Sequence, residues 1–377
     1  CELGKAPKTI AHREYEGYVN YAYHLNAGKF SALLAKHATE HFGVEHAFAT
    51  VVDVALDKQG NIETLITKEI GGISGDLFID CSGFGARLIE GVFNEPFIDQ
   101  SSVLLADNAI VAQVPYHDVQ CPLVSSTIAT AQDAGWIWDI GLTNRKGVGY
   151  VYSSAHISHE QAEHALRQYI GSGNEEVSTR RIPMKIGYRR RAWVKNCVAM
   201  GLAQGFVEPL EATGLLMFDV TARMLATMIP AENSRIPTSA PRFNQVVTDA
   251  WERIIEFIKL HYCISKRRDS DFWIDNTEDK SIPSGLKEKL AQWRYRLPNA
   301  YDFTETTSVF NLDNYLYVLY GMEYETNRHS ATHRIPSLEC AQKELRDLVS
   351  ERKKYINELP NHRDLINKIR LYGLSEF

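Results

Sequence analysis

The sequence predicts a mixed α/β protein, and three observations carry that expectation. A helical pattern near the start gives way to period-two segments joined by a hairpin turn. A second block, from about Ser101, reads as successive strands. From Thr213 onward the pattern is mostly helical. In order, residues Ala27 to His41 carry Phe30, Leu33, Leu34, Ala38 and His41 at helical spacing, with Asn26 as cap. Ala49 to Leu56 and Ile62 to Ile66 read as strands around the turn Asp57-Lys58-Gln59-Gly60-Asn61. Gly71, Gly72 and Gly75 precede a further strand, Leu77 to Cys81. Helix, hairpin and returning strand suit the later part of an α/β nucleotide-binding domain. Val103 to Tyr116, Ser126 to Thr130, Trp136 to Leu142 and Gly147 to Ser153 read as strands, the last two a hairpin through Thr143-Asn144-Arg145-Lys146. Ser158 and Gln161 form a capping box for a helix ending at Gly171. Thr213 to Ile229 and Pro241 to His261 read as long helices, the second opened by its proline. The final helix pair, Leu345 to Tyr372, alternates charge and reads as a solvated face.

The 377 residues are 44% hydrophobic and 23% charged, ordinary for a globular chain and enough for one large domain or two intertwined ones. A net charge of −6 excludes the basic footprint that nucleic acid requires. No run of 18 apolar residues suits a membrane helix, so no membrane partner is expected. Six scattered cysteines without a C-x-x-C pair read as reduced thiols of a cytoplasmic protein. His37 and His41 share a helix face, but no metal-ligand spacing accompanies them, so no metal is expected. The opening Cys1-Glu2-Leu3-Gly4 reads as the interior of a longer protein, and the chain is expected to be N-terminally incomplete.

Three segments carry chemistry. In Gly75 to Phe84 a buried strand ends in Asp80-Cys81-Ser82-Gly83, where small residues let backbone approach a ligand; a core strand with a turn explains the same pattern. In Trp193 to Gly214 a strand runs through a glycine turn at Gly201 to Glu208-Pro209-Leu210-Glu211-Ala212-Thr213-Gly214. The free N–H groups of the following helix make a site for an anion or a polarised oxygen. Glu211 there is a general base or a helix cap, and Glu208 no more than a cap. In Trp136 to Leu142, Trp136, Trp138 and Ile140 share a strand face, either as a wall beside a planar ligand or as core.

Together the three segments resemble the flavin-dependent tryptophan halogenases, which show D-C-S-G-F, W-x-W-x-I-P and P-L-E-[SA]-T-G in that order. The matches are Asp80 to Phe84, Trp136 to Gly141 and Pro209 to Gly214, with further agreement at Gly149 to Ser154, His261-Tyr262 and Asp269-x-x-Phe272-Trp273. The resemblance implies a flavin monooxygenase-like FAD-binding fold with a substrate-binding sheet and helical layer. FAD, reduced by a separate flavin reductase, would react with oxygen to a C4a-hydroperoxide. Chloride or bromide would attack it to give hypohalous acid, which halogenates an electron-rich small aromatic such as tryptophan or an indole. The resemblance assigns catalysis to Glu211, cofactor binding to Asp80, Ser82, Gly83, Gly201, Leu202, Thr213 and Gly214, and halide binding to Thr213 and Gly214. It makes Trp136, Trp138, His261, Tyr262, Phe272 and Trp273 walls of the substrate compartment, and it allows a homodimer.

The departures are specific. These residues hold no G-x-G-x-x-G turn for the FAD pyrophosphate, so the family's N-terminal βαβ unit is expected to be missing, along with its catalytic lysine. The division expected is a partial flavin-binding domain over 1–100 and 182–232, and a substrate-binding region over 101–181 and 233–377. Gly141 replaces the last proline of the tryptophan motif. Arg268 stands where tryptophan-specific members carry a glutamate for the substrate ammonium, and a guanidinium suits a carboxylate instead. Flavin-dependent hydroxylation and a non-catalytic remnant are the competing readings.

Overall fold

The computed structural model describes residues 1–232, 235–303, 309–327 and 338–374. In chain order the elements are α1 (Ala27–Phe42), β1 (Val51–Leu56), β2 (Ile62–Thr67), β3 (Gly71–Ser74), β4 (Phe78–Asp80), β5 (Phe97–Asp99), β6 (Asn108–Pro115), β7 (Ile128–Gln132), β8 (Gly135–Gly141), β9 (Arg145–Tyr152), α2 (His159–Ile170) and β10 (Thr179–Pro183). They continue with β11 (Gly187–Arg189), β12 (Trp193–Val194), β13 (Cys197–Ala199), β14 (Gly205–Phe206), α3 (Thr213–Met228), α4 (Ile236–Cys263), α5 (Asp271–Asp275), α6 (Ser284–Trp293), α7 (Leu312–Gly321), α8 (Leu338–Glu358) and α9 (His362–Tyr372). The chain packs as two compact units. One comprises Cys1–His46, Ala109–Ile182 and Ala331–Phe377; the other comprises Ala47–Asn108 and Pro183–Ser330. This grouping cuts the chain at other places than the expected division by function, placing 1–46 with the second block of strands.

The first unit is built on a five-stranded sheet in the order β10-β6-β9-β8-β7. Ile110, Ala112 and Val114 alternate along β6 and meet Ile137, Val148, Tyr150 and Tyr152, and α2 closes this face with Ala162 and Leu166. The expected capping box opens α2: Gln161 N–H donates to Ser158 Oγ, and the Gln161 side chain accepts from Ser158 N–H. The expected hairpin turn joins β8 to β9, with Leu142 N–H donating to Arg145 O at 2.8 Å. Near the chain start, Ala6 N–H donates to Pro360 O, and His362 N–H to Gly4 O, both at 2.9 Å. α8 buries nothing, as a solvated helix should, but α9 departs from that expectation. Its Arg363 is buried, and the guanidinium donates to the carbonyls of Cys121 and Thr143 at 2.9 and 2.6 Å. Asn26 caps α1 as expected, yet Phe30, Leu33 and Leu34 on that helix are exposed.

The second unit holds the short sheet β12-β13-β4, in which β4 and β13 run parallel, and the antiparallel sheets β1-β2-β3 and β14-β11-β5. Ile62, Phe78, Ile89, Val194 and Cys197 form one core of this unit. The amide of Asn196 joins two of the sheets: it accepts from Ile62 N–H at 2.9 Å and donates to Ile62 O at 2.8 Å. The strand expected from Val103 starts only at Asn108, because Val103 and Leu104 N–H groups fold back onto Gln100 O in a turn. α4 begins at Ile236 rather than Pro241. In the second turn a proline forgoes one intrahelical bond, and the buried stripe beyond it outweighs that loss. Phe243, Trp251, Ile254 and Ile258 are wholly buried, each contributing about 1.5–3 kcal/mol.

Candidate active site

Parallel pairing of β4 with β13 sets Asp80 opposite Ala199, so both strands deliver their carboxyl ends side by side. That is where ligands collect in α/β sheets. A single helical turn follows each strand, Gly83–Gly85 and Gly201–Ala203, and the two turns pack together. Gly83 (φ 72°) and Gly201 (φ 62°) both occupy the left-handed region, and a Cβ on either would meet nothing within 4 Å. The backbone here is bare toward open space. Ser82, Gly83, Gly201 and Leu202 are therefore brought together at these two turns. Asp80 is placed differently from a ligand-facing acid. It is 2% exposed, and its carboxylate accepts from Ser82 N–H and Oγ–H and from the N–H groups of Leu88 and Ile89, at 2.6–3.0 Å. It clamps the loop that carries Ser82 and Gly83.

The second segment converges on the same turns. α3 packs against the Gly201–Ala203 turn and begins at Thr213. Its N-cap is Ala212, with no side-chain cap, so neither Glu208 nor Glu211 acts as the helix cap considered from sequence. Glu211 (φ 65°) and Ala212 (φ 54°) are successive non-glycine residues in the left-handed region, a costly arrangement that concentrates at functional sites. Thr213 is 1% exposed, and its hydroxyl has no hydrogen-bond partner among the described residues. A Cβ on Gly214 would also meet open space. An orphaned hydroxyl, uncapped N–H groups and glycines without neighbours fit a flat, anionic cofactor lying close to the backbone and a halide at the helix start.

The end of α4 and the segment that follows it into α5 supply further groups. His261 Nε2 lies 3.1 Å from Glu211 Oε1. Tyr262 O–H donates at 2.6 Å to Oε2 of Glu208, which is fully buried and ties the turn to the helix. Tyr262, Phe272 and Trp273 are almost fully buried, with ring centroids 5.3–5.7 Å apart. They form the core beneath this part of the site rather than an open wall. Arg268 donates to the carbonyls of Ser265 and Arg267. In the first unit, Trp136 and Trp138 lie 6.2 Å apart on β8. A Cβ on Gly149, which pairs with Trp138, would fall 2.1 Å from the indole, so the glycine makes room for that ring. Gly141 lies close to Leu123 and Tyr116, where a Cβ would fall 2.9 Å from Leu123.

Three features escaped the sequence reading. Lys259 is fully buried and donates to Asn276 Oδ1 at 2.9 Å; burial pushes its ammonium down to about 8. Glu95, also buried, holds Arg190 and Arg191, while Arg189 pairs with Glu90. The His261–Glu211 pair joins two residues that were each singled out but never connected. A run of three arginines was the available signal for the second feature. Nothing local signals the other two, whose partners lie 17 and 50 residues apart.

The sequence profile described as "Tryptophan halogenase" matches residues 2–337. The chain belongs to the tryptophan halogenase family. It is 35% identical over 369 residues to a 7-chloro-L-tryptophan 6-halogenase of Kutzneria sp. (strain 744), covering 97% of this chain and 70% of that protein. It is 36% identical over 301 residues to a tryptophan 6-halogenase of Streptomyces toxytricini, covering 79% of this chain and 57% of that protein. The crystal structure of a tryptophan halogenase from Shewanella frigidimarina superposes with a TM-score of 0.95 at 41% identity, over 100% of this chain and 72% of that one. The fold of this tryptophan halogenase-family chain is thus the mixed α/β fold of the flavin-dependent halogenases. The chain spans between about half and seven-tenths of its curated relatives. No helix among the described residues is long and apolar enough to cross a membrane.

Proposed function

We propose that the full protein carrying this chain halogenates an electron-rich aromatic of the tryptophan or indole kind, with FAD reduced by a separate reductase and with chloride or bromide as the halide. Relatives named as tryptophan 6- and 7-halogenases support the substrate class. The observation that carries the reading is the strained Glu211-Ala212 pair at the uncapped start of α3, beside the orphaned Thr213 hydroxyl.

Reduced FAD, when bound, supplies the two electrons with which oxygen converts halide to hypohalous acid and water. The chain's own residues do the rest. Ser82, Gly83, Gly201 and Leu202 present backbone to the cofactor. The N–H groups of Thr213 and Gly214 hold the halide, and the helix dipole behind them favours its charge. When the halogen of hypohalous acid adds to a ring carbon, the O–halogen bond breaks and the hydroxide leaves as water after taking up a proton; the Glu211 carboxylate takes the proton from that ring carbon, and the C–H electron pair restores aromaticity. Arg268 suits a substrate whose polar end is a carboxylate.

The test is Glu211→Gln in the full gene product. Turnover is expected to fall by about 10²–10⁴-fold, the usual contribution of a general base, while FAD affinity stays unchanged. Near wild-type turnover on a proven substrate would overturn the assignment.

A further inference from the structure

We infer that His261 is the positioning residue of Glu211, and that the two side chains hold one proton in common. The inference rests on the proposed role of Glu211 and adds to it the state in which that group works.

His261 sits in the last turn of α4, and its Nδ1 lies 2.9 Å from the carbonyl oxygen of Phe257. A carbonyl oxygen only accepts, so Nδ1 carries a hydrogen and donates it. A neutral imidazole then has no hydrogen on Nε2. Yet Nε2 stands 3.1 Å from Glu211 Oε1, and an ionised carboxylate is also purely an acceptor. Two lone pairs cannot face one another at that distance without a proton between them. Either the ring is an imidazolium donating to a carboxylate, or Glu211 is a carboxylic acid donating to the ring. In both forms the pair carries one proton more than a neutral histidine beside an ionised glutamate.

The histidine is held firmly, while the Glu211 side chain stays 37% exposed. Phe257 meets the imidazole edge to face at 5.1 Å and is itself stacked on Phe310 at 3.8 Å. The imidazole is largely buried, its side chain 17% exposed. The left-handed backbone at Glu211 and Ala212 turns the carboxylate toward α4, and the Glu208–Tyr262 bond anchors the same turn three residues earlier. With Oε1 engaged by His261, the oxygen left for the substrate is Oε2. His261 thereby selects which oxygen meets the substrate proton and in which direction, which is the contribution of a positioning residue.

The first test needs no turnover. In the 377-residue chain labelled with ¹⁵N-histidine, two-bond ¹H–¹⁵N correlations report which ring nitrogens carry hydrogen, and His261→Gln identifies the His261 signals. Nδ1 of His261 is expected to be hydrogen-bearing, and its Nε2 resonance is expected to move in Glu211→Ala. A bare Nδ1, or an Nε2 signal unmoved by Glu211→Ala, would overturn the shared proton. The second test uses the full gene product. His261→Gln keeps an N–H able to reach Oε1, whereas His261→Phe keeps a ring and removes the donor. The phenylalanine variant is expected to lose about 100-fold in kcat with KM little changed, the scale of a misplaced catalytic group, and the glutamine variant is expected to recover most of it. Equal kcat in the two variants would overturn the positioning role. A moved Nε2 signal together with an active Glu211→Gln enzyme would remove the proposed base and leave the proton pair standing.

Discussion

Thr213 shows how one residue separates stability from function. Its hydroxyl is buried with no hydrogen-bond partner among the described residues, an arrangement that carries a desolvation cost of about 1–3 kcal/mol. Thr213→Val removes the hydroxyl and keeps the shape. Thermal unfolding of the 377-residue chain is expected to show an unchanged or higher melting temperature, while halide-dependent turnover of the full gene product falls. A variant that melts clearly lower would mean that the hydroxyl serves packing and not a ligand. The neighbouring left-handed pair follows the same logic, since strain of about 1–3 kcal/mol per residue persists only where the surroundings enforce it. At this scale the candidate site was largely legible, because P-L-E-A-T-G keeps its residues adjacent in the chain. The part that was not legible is pairing across sequence. His261 and Glu211 stood out separately, and only the approach of α4 joins them.

Elements defined by local chemistry were the most legible. The turn after β1, the capping box of α2 and the Asn26 cap all depend on residues within a few positions of each other. Elements defined by remote partners were less so. Nothing in residues 75–84 tells that β4 lies parallel to β13, and so the clamp role of Asp80 was read as ligand contact. That clamp is testable. Asp80→Ala leaves the buried N–H groups of Leu88 and Ile89 without an acceptor, which should cost about 2–4 kcal/mol. A urea unfolding midpoint equal to wild type would show that the loop is held otherwise. The sheet β12-β13-β4 also ends at β4, whose Ile79 is 42% exposed, and these residues contain no G-x-G-x-x-G turn. The pyrophosphate of FAD binds to such a turn and the helix behind it. Fluorescence titration of the 377-residue chain with oxidised FAD is accordingly expected to show weak binding. Micromolar affinity would mean that Gly83 and Gly201 alone suffice.

At the scale of the whole molecule, membership of the tryptophan halogenase family rests on a match over residues 2–337 and a superposition covering the entire chain. The fold class and the family were readable because the three motifs keep their order along the sequence. The compact units each gather segments that are distant in the chain, which no local pattern signals. One consequence concerns the electron supply. Under the proposed function the flavin arrives already reduced by a separate enzyme, so sustained turnover of the full gene product with NADH and FAD is expected only when a flavin reductase is added. Steady activity without one would point to an internal route for hydride. On the proposed function, the Glu211–Thr213 turn and the glycines Gly83 and Gly201 in the turns after β4 and β13 serve halogenation rather than hydroxylation. Mass spectrometry of the product from the full gene product, supplied with reductase, NADH, FAD, oxygen, tryptophan or indole, and either chloride or bromide, decides it. The account predicts a monohalogenated aromatic whose isotope pattern follows the halide supplied. A hydroxylated aromatic formed regardless of halide would contradict it.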